Sequence, residues 1–90
     1  MIDVQPLSEN EWLVTVQSTS TTKHRVKVTP DDLHRFGGDG VSVPQLLKAS
    51  FRFLLEREPN TSILSSFDLP IIGRYFPEYP NELRQHLANE

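Results

Sequence analysis

Three cationic side chains alternate along one short segment of the chain, at Lys23, Arg25 and Lys27. Alternate residues of a β-strand share one face about 7 Å apart, so the spacing predicts a row of positive charge that can bind phosphate or an acidic protein surface. The same pattern is typical of the solvent face of a one-sided sheet, where lysine also protects an edge strand from unwanted pairing. Neighbouring segments carry acidic residues that can neutralise this basic row, namely Asp3, Glu9 and Glu11.

The charge of the whole chain argues against nucleic acid. Nine Lys and Arg side chains are outnumbered by twelve Asp and Glu, so the net charge is -3, opposite in sign to that of a nonspecific nucleic-acid binder. A helix-turn-helix over residues 58–73 is also disfavoured, because that stretch has no Lys or Arg to face phosphates. A nucleic-acid-associated or antitoxin-like regulator that uses the basic row is therefore kept as an alternative prediction, ranked below a protein-interaction module.

Residues that could bind a metal have simpler structural explanations. His24 shares a strand face with two valines, a position typical of a histidine at the rim of a core. Asp31, Asp32 and His34 fall within one helical turn, but the two aspartates are explained by their place at the positive end of a helix dipole. With no cysteine in the chain, we assign no metal ligand and expect no cofactor.

Catalytic motifs are equally weak. Residues 37–40 (GGDG) resemble a phosphate loop only in glycine content, since they lack the Gly-Lys-Ser/Thr element and the strand-to-helix context. No nucleophile elbow is found around any serine, and the lack of cysteine excludes a thiolate nucleophile. A small enzyme with an unrecognised site stays open as a further alternative, with no catalytic residue assigned to it.

The elements that position these side chains follow from the hydrophobic pattern, which changes near Thr29 from a period of two to a helical period. Residues 11–17 and 22–28 alternate, and a shorter strand begins at Ile2 and Val4. The sequence therefore predicts one α+β domain over residues 1–90, in which an N-terminal three-stranded antiparallel β-meander (1–29) packs against three to four C-terminal α-helices (30–90). The face of the meander that should be covered carries Trp12, Val14 and Val16.

Capping residues and prolines predict where the helices begin and end. Ser42 and Gln45 have the spacing of a capping box at the start of the longest helix. The expected helical segments start after Thr29, span Val43 to Arg57, make one or two turns over 63–67, run from 69 to 76 behind a cap at Asp68, and begin again at Pro80.

The C-terminal segment from Phe67 to Tyr79 is rich in aromatic residues and proline. Tyr and Phe supply a large contact area at low entropic cost, so such a segment can dock a partner or complete a small core. We assign Phe67 and Phe76 to the core and leave both roles open for Tyr75 and Tyr79. Together with Arg74, these two tyrosines are the candidate partner-binding residues.

Residues 50–64 (SFRFLLEREPNTSIL) and 67–80 (FDLPIIGRYFPEYP) carry the most distinctive pattern of the chain. They resemble the signature of a family of small bacterial proteins that has no assigned activity. The resemblance covers the C-terminal half well and the strands in outline. It implies a soluble bacterial protein and transfers no catalytic residue.

The function is predicted from the small size of the chain and from the absence of recognised catalytic motifs in its sequence. We expect a non-enzymatic protein-interaction module, and one form of this expectation is a homodimer that pairs through the sheet edge or the aromatic tail. No apolar run approaches the roughly twenty residues that cross a bilayer, and the N-terminus lacks the basic and apolar regions of a secretory leader. We therefore expect a cytoplasmic protein with no membrane partner.

Overall fold

The N-terminal third of the chain forms the expected antiparallel meander. The computed structural model describes residues 1–88, in which the first three strands are β1 (Ile2–Pro6), β2 (Glu11–Gln17) and β3 (Thr21–Lys27). Neighbouring strands pair antiparallel, with Val14 opposite both Val4 and His24. The alternation of apolar and polar residues thus predicted the three strands and the faces that they present.

A fourth strand, β4 (Ser66–Asp68), completes the sheet in the order β1-β2-β3-β4 and lies parallel to β3. This corrects the sequence analysis, which expected helical turns over 63–67 and a helix cap at Asp68. A short apolar run does not distinguish helix from strand by itself. Here pairing with the backbone of β3 makes the segment a strand, because the N–H of Arg25 donates to the carbonyl of Ser65 at 2.8 Å.

The helices lie in the C-terminal two thirds, as expected for an α+β fold. They are α1 (Pro30–Asp32) with a wide turn (Leu33–Gly37), α2 (Val43–Leu55), a 3-10 turn (Asn60–Ser62), α3 (Ile71–Tyr75) and α4 (Tyr79–Ala88). Helix α2 ends at Leu55 rather than Arg57, because its last turn tightens to a bond from the Arg57 N–H to the Leu54 carbonyl.

Two capping boxes fix the starts of α1 and α2. The hydroxyl of Thr29 accepts from the N–H of Asp32, and the hydroxyl of Ser42 accepts from the N–H of Gln45. In each case the side-chain oxygen of the second residue also accepts from the N–H of the first. The Ser42–Gln45 box predicted from sequence is confirmed, whereas α3 follows Pro70 without any side-chain cap.

The core lies between one face of the sheet and the helices. Val14 and Val26 are fully buried there, as are Phe51 and Phe53 of α2. Trp12 packs against the edge of this core and is partly buried. The opposite face of the sheet carries polar side chains and is called the open face below.

Candidate functional site

The basic row lies on the open face, where Lys23, Arg25 and Lys27 are all exposed. The strand register surrounds it with carboxylates: Lys23 shares a cross-strand row with Asp3, and Lys27 lies between Glu11 and Asp68. Alternate residues of a strand share a face, so three cations and three carboxylates occupy the same face of the sheet. Their formal charges cancel, which weakens the attraction of this face for phosphate.

Tyr79 belongs to the core, and its candidate role as a surface docking residue is corrected. It is fully buried, and its hydroxyl lies 2.7 Å from Oγ of Ser50, which donates to the carbonyl of Leu46 at 2.7 Å. Rings of Phe36 and Phe53 lie 5.5 and 5.2 Å from its ring. Burial raises the pKa of the phenol above its ordinary value, so the hydroxyl stays protonated as a hydrogen-bond donor.

Tyr75 is exposed over 66% of its surface and lies on the rim of an apolar groove. The groove encloses about 430 Å³. Buried side chains of Leu54, Ile63 and Ile72 line it, and the exposed rim is formed by Leu64 and Tyr75. The groove is therefore a concave apolar site beside an accessible aromatic ring.

A more polar cleft of about 640 Å³ adjoins the apolar groove and shares Leu64 and Tyr75 with it. Lys27 of the basic row and Arg74 both line this cleft, together with β4 residues. The fold thus brings Arg74 and Tyr75 of the C-terminal segment next to one member of the basic row. These two groups are far apart in the sequence, and their proximity was not predicted because β4, which lies between them, was not predicted.

The rim of the groove is held by a chain of hydrogen bonds that starts at Asn60. Its side-chain amide donates to the hydroxyl of Thr22 at 2.9 Å, and that hydroxyl lies 2.8 Å from Nε2 of His24. A carbonyl oxygen can only accept, so Nδ1–H of His24 donates to the Leu64 carbonyl at 2.7 Å. His24 is 2% exposed and, as expected, serves the structure at the margin of the core.

Arg57 supports the other side of the groove, a role that the sequence analysis missed. Its guanidinium carbon lies 3.8 Å from the ring centroid of Phe53 and 5.9 Å from that of Phe76, which lines the groove. Its nitrogens contact Glu82 at 2.6 Å and Glu78 at 3.1 Å. Burial works to lower the pKa of Arg57, but hydrogen bonds with the two glutamates raise it above its ordinary value.

Helix α1 and the turn that follows it carry the acidic and histidine residues considered above as metal ligands. The carboxylate of Asp32 is used in the capping box with Thr29, and His34 is exposed on the following turn. Within residues 1–88, no three His, Asp or Glu side chains converge in the manner of a metal site.

No helix within residues 1–88 is long and apolar enough to cross a membrane. Comparison with family models, with curated proteins and with solved structures gives no match. The resemblance of residues 50–64 and 67–80 to small bacterial proteins thus stays a prediction.

Proposed function

We propose that the protein is a non-enzymatic interaction module that binds a protein partner through the apolar groove. The observation that carries this proposal is the exposure of Leu64 (48%) and Tyr75 (66%) on the rim of one groove. Apolar side chains that cluster around a concave surface mark binding sites more often than isolated exposed residues do. Tyrosine is also among the residues that contribute most to binding energy at protein interfaces.

Two residues that line the groove are held by contacts with the rest of the fold. Leu64 is tied to His24 through its carbonyl, and Phe76 packs edge-on against Phe53 at 5.8 Å. Since ordering a binding surface costs free energy, these contacts favour affinity. The adjoining cleft offers Lys27 and Arg74 for polar contacts around the apolar centre, the usual arrangement of a protein interface.

The regulator that would bind nucleic acid through the basic row has less support. The cross-strand carboxylates of Asp3, Glu11 and Asp68 balance the three cations of that row, and phosphate binding depends on uncompensated positive charge.

We place the protein in the cytoplasm, because a chain without cysteine suits a reducing compartment.

The groove is tested by comparing three forms of the protein as bait in a bacterial lysate. The double variant Leu64→Ser/Tyr75→Ser removes the apolar rim, and Leu7→Ser makes the same kind of change at an exposed leucine (45%) in the turn after β1. Partners held by the wild type and by Leu7→Ser should be lost from the double variant. Equal retention by all three forms would contradict the proposal, as would loss of the partners from a fourth form, Lys23→Gln/Arg25→Gln, in place of the double variant.

A further inference from the structure

The outer edge of β4 is open along two residues. The N–H of Arg25 donates to the Ser65 carbonyl, and the N–H of Leu69 donates to the Lys27 carbonyl at 3.0 Å. Successive residues of a strand direct their backbone groups to opposite sides, so Ser66 and Asp68 direct theirs away from β3. The edge ends at Pro70, which has no N–H to offer.

We propose that a second copy of this chain pairs with the β4 edge, antiparallel, about a two-fold axis at Phe67. Ser66 then lies opposite the partner's Asp68, and each such pair exchanges two backbone hydrogen bonds. The two four-stranded sheets join into one continuous sheet. This inference rests on the proposed function, because it identifies the partner of the apolar groove as the same chain.

The length and charge of the β4 edge favour pairing with the β4 edge of a second copy of the chain. Only two residues are available, so a longer strand would leave most of its backbone groups unpaired at this edge, whereas another β4 matches it. In the proposed register Asp68 faces the partner's Ser66, and on its other side it faces Lys27 of its own chain. A register that placed Asp68 opposite the partner's Asp68 would oppose like charges.

The helical side of the same edge supplies the apolar contact. Phe67 points toward the groove side of β4 and lies 6.2 Å from the ring of Phe51. At the two-fold axis it meets the partner's Phe67 in a non-hydrogen-bonded pair, where the Cα atoms lie about 4.5 Å apart and side chains approach closely. Leu64 and Tyr75 flank this pair and become covered, which accounts for their exposure in a single chain.

Sedimentation over a concentration series tests the pairing with Ser66→Pro and Ser66→Ala. Proline removes the outward N–H of Ser66 and no bond of the existing sheet, whereas alanine keeps that N–H. The wild type and Ser66→Ala should dimerise with the same dissociation constant, and folded Ser66→Pro should need at least about tenfold more protein to do so. A monomeric wild type at every concentration, or a folded Ser66→Pro that dimerises like the wild type, overturns the proposal.

Cysteine cross-linking gives a second test, which does not depend on the folding of a proline variant. The chain has no cysteine of its own. A hydrogen-bonded antiparallel pair has Cα atoms about 5.5 Å apart, within the span of a disulfide. An equimolar mixture of Ser66→Cys and Asp68→Cys should therefore form disulfide-linked dimers, while each variant alone should not. Cross-linking of Ser66→Cys with itself, or none in the mixture, overturns this pairing.

The two proposals fail separately. If the wild type is monomeric while the bait experiment still shows retention that depends on Leu64 and Tyr75, the groove binds another protein and the self-pairing is overturned. If Ser66→Pro abolishes the dimer but Leu64→Ser/Tyr75→Ser leaves both the dimer and all captured partners unchanged, the β4 edge pairs and the function proposed for the groove is overturned.

Discussion

The hydrogen bond between Tyr79 and Ser50 should give an asymmetric response to mutation. Ser50 Oγ donates to the Leu46 carbonyl and accepts from the Tyr79 hydroxyl. In Tyr79→Phe the serine keeps its bond to Leu46, so the cost should be about 1 kcal/mol, the net value of one hydrogen bond. In Ser50→Ala the phenol is left buried with no acceptor, which should cost about 1–3 kcal/mol.

The double variant separates this explanation from simple loss of packing. Ser50→Ala/Tyr79→Phe removes both polar partners, so the orphaned phenol disappears and the free energy of unfolding should recover toward that of Tyr79→Phe alone. All four forms can be compared by urea unfolding monitored by circular dichroism. A Tyr79→Phe variant that is less stable than Ser50→Ala, or a double variant whose loss equals the sum of the single losses, would refute the reasoning.

Three further predictions concern the contacts around the groove and the core. Because burial raises the pKa of Tyr79, the folded chain keeps this phenol protonated while the unfolded chain ionises it above pH of about 10. The free energy of unfolding should therefore fall as pH rises beyond that value. The variant Tyr75→Phe leaves Tyr79 as the remaining tyrosine, so its tyrosinate absorbance should appear together with unfolding. Ionisation of Tyr79 before unfolding would contradict this. Arg57→Ala should lower the free energy of unfolding by about 1–2 kcal/mol through lost stacking on Phe53 and lost contact with Glu82, and Arg57→Lys should recover less than half of it; full recovery by lysine would show that charge alone matters. Asn60→Ala should cost about 1–3 kcal/mol, and Asn60→Asp should cost more, because a carboxylate would face the carbonyl of Ser20, which now accepts from the amide at 3.0 Å; equal losses in urea unfolding would contradict the assigned bond.

Much of the fold could be predicted because its signals are local. The meander follows from alternation within β2 and β3, and the start of α2 follows from Ser42 and Gln45, which lie in one turn. Each of these signals depends on residues that are close together in the sequence, so it does not depend on long-range contacts with the rest of the chain. The confirmed α+β class rests on them.

The site could be predicted only in part, because long-range contacts decide it. Strand β4 exists because the outer edge of β3 pairs with it, and a segment of three residues is too short to be recognised as a strand from its own alternation. Tyr75 and Tyr79 are near each other in sequence and alike in type, yet one is exposed and one is buried. The contact of Arg57 with Glu82 spans 25 residues, a distance over which a single sequence carries no pairing signal.

The placement of β4 also sets an order of events for a chain that is being synthesised. The meander leaves the ribosome first, whereas the His24 ring must wait for Leu64, 40 residues later, before its Nδ1–H is paired. Closing so long a loop costs chain entropy that local hairpins avoid. The last edge of the sheet therefore forms late, and a nascent or partly denatured chain lacks the surface through which two finished molecules would associate.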